Sequence, residues 1–265
     1  MLCGRGISMV RGLYTAYTGM INEQKRLEVI SNNLANSATV GYKAENVTSQ
    51  SFKDMMAVKI RDGSNAFLDV PIGDMNLGVK IGETYVDWSQ GSLRETGNTY
   101  DIAIQGNGFF QMRVTYANGN DEIMYSRNGQ FTMTKDGFIV DSYGNHLQGS
   151  SGDLQIPVDT AEVAIKNTGA VFADGVLIDR ITITDFEDYN YCELYGENML
   201  RPVDGATQIP SSATMLQGFT EQSNANVIDQ MVSMITITRA YEAGQKMIQT
   251  QDNLIGKAVT EVGKL

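Results

Sequence analysis

Apolar residues near both ends of the chain fall on seven-residue rows, a spacing that commits those stretches to long helices rather than strands. From Val10 to Ala35 one row, Leu13-Met20-Leu27-Leu34, is wholly apolar; its companion begins with Val10 and Tyr17 and turns polar at Gln24 and Ser31. Late in the sequence Met234, Tyr241, Ile248, Ile255 and Val262 make a second row, with Met231, Thr238, Gln245, Asp252 and Val259 as its half-polar partner. Narrow seams of this kind are what one helix offers another. The first helix is expected to fail across Asn32-Asn33-Leu34-Ala35-Asn36, where asparagine competes for backbone hydrogen bonds, and before Gly41. The second is expected over 227–262, capped by Asn226 with Asp229 near its positive end, and about 54 Å long at ~1.5 Å per residue. Two readings stay open: a helical hairpin within the chain, and seams that also meet other copies. Polar residues at repeated heptad positions cost stability but specify register and partner, which suits an assembly.

Between about residues 70 and 215 the helical period disappears. Short alternating runs replace it, such as Asp101-Ile102-Ala103-Ile104, Phe131-Thr132-Met133-Thr134, Phe138-Ile139-Val140 and Ile181-Thr182-Ile183-Thr184. Turn signals separate them: Gly106-Asn107-Gly108, Asn118-Gly119-Asn120, Asn128-Gly129, Asp136-Gly137, Gly144-Asn145 and Asp174-Gly175. Closely spaced hairpins indicate an antiparallel sandwich or barrel-like body. The fold class expected is therefore α+β, with long N- and C-terminal helices pairing as a coiled-coil-like hairpin and a central antiparallel β domain. The boundaries read as a leader at 1–9 that need not be native, a helix at 10–36, a connecting arm at 37–70, a β-rich body at 71–222 and a helix at 223–265. Within the arm, Phe52-Lys53-Asp54-Met55-Met56 is compatible with a helical turn.

Charge divides along the same lines. The net charge is −11; residues 1–36 carry +2, residues 224–265 carry zero and residues 37–223 hold −13. Nearly neutral ends suit packing, and an acidic middle suits solvent. So acidic a chain is a poor match for nucleic acid. No run approaches the ~20 apolar residues of a membrane span, and the first residues lack the apolar stretch of a signal peptide.

The search for catalysis yields little. There is no Gly-Lys-Ser/Thr phosphate loop, no paired-histidine zinc motif and no calcium loop. One histidine, His146, lies in an expected turn, and two cysteines, Cys3 and Cys192, form no metal-ligand spacing. Adjacent carboxylates such as Asp121-Glu122 and Glu187-Asp188 read as solvated loop residues. No cofactor, metal or catalytic residue is expected.

Three separated stretches resemble the flagellar basal-body rod and hook family. The first holds Gly12-Leu13-Tyr14-Thr15-Ala16, then Ser31 through Asn36 and Gly41-Tyr42-Lys43. The second runs from Gln90-Gly91-Ser92-Leu93 and Thr96-Gly97-Asn98 into Asp101–Phe110, with Gly106, Gly108, Phe109 and Phe110 as its clearest positions. The third holds Gln222-Ser223-Asn224, Arg239-Ala240-Tyr241-Glu242 and Thr250-Gln251-Asp252. The resemblance implies a non-enzymatic rod subunit, in the cell envelope, that self-assembles helically, transmits torque from motor to hook and encloses the export channel. It implies as partners further copies, other rod and hook subunits and, during secretion without a cleaved signal, the flagellar type III export apparatus. A hook-type axial protein is the neighbouring possibility. From other classes, a peptidoglycan-cleaving envelope glycosidase and an acidic adhesin with a coiled-coil stalk compete.

Overall fold

The computed structural model describes residues 3–53, 55–59, 70–116, 119–196 and 198–263. Two long helices stand early and late in the sequence, α1 over Cys3–Ala35 and α2 over Val227–Val262. α1 begins inside the stretch read as a leader and ends within the asparagine cluster that was expected to stop it. α2 begins directly after Asn226 and carries Asp229 in its first turn. Between the helices lies a large antiparallel β region, so the class is α+β.

Among the described residues the chain forms two compact units: Met1–Leu34, Glu45–Val86 and Val227–Leu265 in one, Ala35–Ala44 and Asp87–Asn226 in the other. In the helical unit, Glu45–Ser51 pairs antiparallel with Val79–Val86, and Met55–Lys59 pairs with Val70–Met75. The helical turn expected around Met55 and Met56 is thus a strand. Pairing with Val70–Met75 supplies backbone partners that a lone helical turn lacks, and tertiary context overrides the local preference. One face of α1 grips the first ribbon. Asn33 donates from Nδ2 to the Glu45 carbonyl at 2.7 Å and accepts from the Glu45 amide at 2.9 Å, clamping one residue at both backbone groups. Ser49 donates to Asn22 Oδ1 at 3.0 Å.

The second unit is built on a sheet running in the order 192–195, 199–202, 121–126, 109–115, 146–149, 139–140, 132–133, with further strands joined to its middle. A three-stranded sheet of 163–165, 170–173 and 176–180 packs into the same core. Alternation along Phe109–Thr115 places Phe110 and Met112 in that core with Ile102, Ile104, Phe131, Leu147, Val171 and Met215. The Phe110 and Phe131 rings meet edge to face, centroids 5.3 Å apart; each such side chain contributes about 1.5–3 kcal/mol by leaving water.

Asp174-Gly175 makes the expected tight turn, with φ of 49° and 82°. Asn128-Gly129 does not. Gly129 accepts from the Ile102 amide at 2.9 Å, and a Cβ there would lie well inside van der Waals contact of the Ile102 carbonyl oxygen. This glycine serves close backbone approach rather than a hairpin turn.

A second core gathers Phe109, Tyr125, Phe186 and Leu200, with Trp88, Tyr189 and Cys192 packed against it. Burial raises the Cys192 thiol from its ordinary 9.0 to about 11, helped by Asp188. Burial and the hydrogen bond to Asp185 raise the Tyr189 phenol from 10.0 to about 12, and burial raises Tyr125 as well. All three hold their protons more tightly folded than unfolded. Their contribution is complete below about pH 9 and is lost as pH climbs through the raised values. Lys43 runs the other way, lowered by burial against the pull of Glu221, and so opposes them. With Cys192 the first of the raised groups to titrate, the urea midpoint read by Trp88, the single tryptophan, is expected to fall steadily from pH 9 to 11. Cys192→Ser removes the earliest part of that fall; an unchanged midpoint would refute the assignment.

Candidate functional site

Each helix has an inward and an open face. Along α2, Met234, Ile237, Tyr241, Gly244, Ile248 and Gln251 are buried or half-buried, while nearly everything between them is exposed. They repeat at alternating three- and four-residue steps, and Ile237 is the most enclosed at 3% exposure. α1 and α2 come into contact at two glycines. A Cβ on Gly244 would stand 2.7 Å from Met20 Cγ, and one on Gly12 would collide with the Gln251 amide. Side-chain bulk is missing on one helix where it is present on the other, which is how two backbones draw together.

Of the expected seam, Leu13, Met20, Leu27 and Leu34 are half-buried on α1, as are Met234, Tyr241 and Ile248 on α2. Met231 is 49% exposed and Ile255 is exposed too; the Val262 side chain lies outside the described residues. The heptad reading passed over Ile237, Gly244 and Gln251. Ile237 was visible as an apolar residue three after Met234, whereas a glycine and a glutamine carry no apolar signal.

What the helices leave open is also apolar. On α2, Ile228, Met231, Val232 and Ile235 are exposed at i, i+3, i+4 and i+7; on α1, Tyr14, Tyr17 and Ile21 are exposed at i, i+3 and i+7. Each is a stripe on one side of a helix.

The β unit carries a buried ion cluster where the chain comes in and goes out. Glu221 accepts from Lys43 Nζ at 2.6 Å, Arg127 Nη1 at 3.1 Å and the Gly91 amide at 2.9 Å, and its own carbonyl accepts from the Gly41 amide at 2.8 Å. Side-chain exposure is 5% for Lys43 and Arg127 and 1% for Glu221. Arg127 also donates to the Gly106 carbonyl at 2.7 Å and lies over the Phe109 ring. Gly41 (φ 71°) has no room for a side chain, since a Cβ would sit 2.5 Å from the Arg127 backbone. The family-motif residues thus divide. Gly41, Gly106 and Phe109 surround the cluster, Phe110 fills the main core, Gly108 bends the chain before it, and Asn33 clamps the ribbon. Asn32, Ala35, Arg239 and Glu242 are exposed, and Leu34, Asn36 and Tyr241 half-buried. Sequence reasoning gave no hint of the cluster, because its three ions stand far apart along the chain.

His146 lies in the strand 146–149, its ring against Phe138 and its Nδ1 3.4 Å from Asp153 Oδ2 without hydrogen-bonded geometry. Arg113 and Gln148 already occupy that carboxylate.

Comparison with known proteins bears on this arrangement directly. The pattern described as "Flagella basal body rod protein" matches residues 13–43, "Flagellar hook protein FlgE/F/G D1 domain" matches 103–173, and "Flagellar basal body rod FlgEFG protein C-terminal" matches 216–261. The flagellar basal-body rod protein FlgG of Bacillus subtilis (strain 168) is 32% identical, over 95% of this chain and 98% of its own. The chain belongs to the flagellar basal-body rod protein family. FlgG of Buchnera aphidicola subsp. Schizaphis graminum (strain Sg) is 31% identical over 94% of this chain and 98% of that one. The rod protein FlgF of Caulobacter vibrioides is 29% identical over 97% and 100%. The family stretches fall on the parts described: α1 with the turn to Gly41, the main β core, and the exit past Glu221 into α2.

Proposed function

We propose that this chain is a structural subunit of the flagellar basal-body rod, acting without catalysis at the basal body. The observation that carries this reading is similarity along the whole chain to proteins named as rod subunits. The mode of assembly rests on the helices. α1 and α2 pair as a coiled-coil-like hairpin through Leu13, Met20, Leu27 and Leu34 against Met234, Tyr241 and Ile248. The exposed stripes then meet neighbouring copies and other rod or hook subunits in a helical tube. Such a tube encloses the export channel and transmits torque by staying stiff. Packed side chains resist sliding because interiors are as dense as organic crystals.

The test is mass spectrometry of purified hook–basal bodies, paired with electron microscopy of an in-frame deletion. The chain is expected in the particle, and the deletion is expected to halt the structure below the hook. Complete basal bodies without it would overturn the proposal. A finer expectation concerns Val232, which is 56% exposed in the apolar stripe. Val232→Asp should leave the circular dichroism and melting of the soluble protein within ~0.5 kcal/mol of wild type, as surface changes do, while abolishing swimming.

A further inference from the structure

We propose that residues 219–226 form a strap, hinged at Gly218, that opens from the β unit as a separate local transition while the rest of that unit stays folded. The hinge has the required geometry. Gly218 holds φ at 79° between the strands 214–217 and 219–221, a conformation that only glycine exchanges freely. The two sides of the hinge are held differently. Before it, Met215 is buried in the main apolar core and 214–217 pairs with 102–105 along its length. Beyond it, 219–221 pairs with the three-residue strand Leu93–Glu95, of which Leu93 is half-buried and Arg94 and Glu95 are exposed.

The strap is fastened by polar contacts instead. Glu221 ties it to Lys43, Arg127 and Gly91; Asn224 accepts from the Ala44 amide at 2.8 Å and donates to the Asp87 carbonyl at 2.7 Å; the Gln222 amide donates to Ser92. Closure is imperfectly satisfied, since Thr220 Oγ1 and Arg127 Nε are buried and find no partner among the described residues. Opening would return both to water and uncover only two apolar side chains, the half-buried Phe219 and the buried Ala225, so what holds the strap is mainly polar and is open to exchange with water.

Native-state hydrogen exchange on the full chain tests this. The amides of Gly41, Ala44 and Gly91, whose acceptors lie on the strap, should open at least tenfold more often than those of the 109–115 and 121–126 ladder. Glu221→Gln should raise exchange at these three a further tenfold or more and change the ladder less than twofold. Asn224→Ala, a milder release, should do the same to a smaller degree, and Arg201→Ala, which removes an exposed ion pair with Glu122, should do neither. If the three amides exchange together with the ladder in the wild type, or if both strap variants raise exchange everywhere or unfold the unit, the strap does not exist as a separate element.

Discussion

Ile237→Asp is expected to release α2 from the helical unit and abolish motility, while the fluorescence of Trp88 stays at its wild-type value. The residue is 3% exposed and is the most enclosed member of the inward row of α2. Among the described residues the buried cations, Lys43 and Arg127, belong to the other unit, and an unpaired buried charge costs about 3–5 kcal/mol. That is comparable to the whole stability of a small packed element. The readouts are the loss of helical ellipticity at a lower temperature and protease cleavage within 227–262. Because Trp88 belongs to the other compact unit, its signal separates local failure from general unfolding. Helices that melt as in the wild type would mean that this row is not what holds α2.

The second large effect is placed in the β unit. Gly129→Ala adds one methyl group where the Ile102 carbonyl already stands. A side chain can swing away from an intruding atom, but this oxygen belongs to the strand Ile102–Gln105, whose Ile102 and Ile104 are 1% exposed. Either the strand shifts, carrying two core residues with it, or the 128–130 backbone moves and gives up its bond from the Ile102 amide. Overpacking typically costs 1–3 kcal/mol; a clash with fixed backbone belongs to the tail above ~4 kcal/mol. The expected result is a protein that keeps helical ellipticity, loses the native Trp88 emission and fails to swim. A melting temperature within a few degrees of wild type would show the backbone there to be softer than argued. Ile237→Asp and Gly129→Ala should therefore give reciprocal spectroscopic losses with the same phenotype.

What could be read from sequence depended on how locally each feature is encoded. Both helices were legible because periodicity and asparagine stops are local signals; α1 ends at Ala35 and α2 starts after Asn226. The antiparallel middle was legible for the same reason, through hairpins such as the one turning at Asp174-Gly175. Asn128-Gly129 carries the same two letters with a different physical cause, a neighbour 27 positions away in sequence, and no local rule distinguishes the two. The inward face of α2 was half legible. Methionine, tyrosine and isoleucine announce burial, but Gly244 is half-buried by virtue of being small beneath Met20. Lys43 and Arg127 stood in stretches that resemble the family, but nothing in the sequence joined either to Glu221, since only the fold brings the three together.

The ion cluster and the Asn224 contacts have one further consequence. Incoming residues 41–44 and outgoing residues 221–224 are bonded to each other, Gly41 to Glu221 and Ala44 to Asn224, each at 2.8 Å. Asp87, where the chain re-enters the β unit, donates to the Ala44 carbonyl at 2.8 Å and accepts from Asn224 Nδ2 at 2.7 Å, so everything from Asp87 to Thr220 is a detour that returns to where it began. A detour with pinned feet can be lengthened, shortened or exchanged without altering the spacing of the segments on either side. Insertions at the exposed Asp174-Gly175 tip would be absorbed in the same way. The β unit is in this sense a replaceable cassette, and its size can drift over evolution independently of the helices that the pattern of apolar residues announced first.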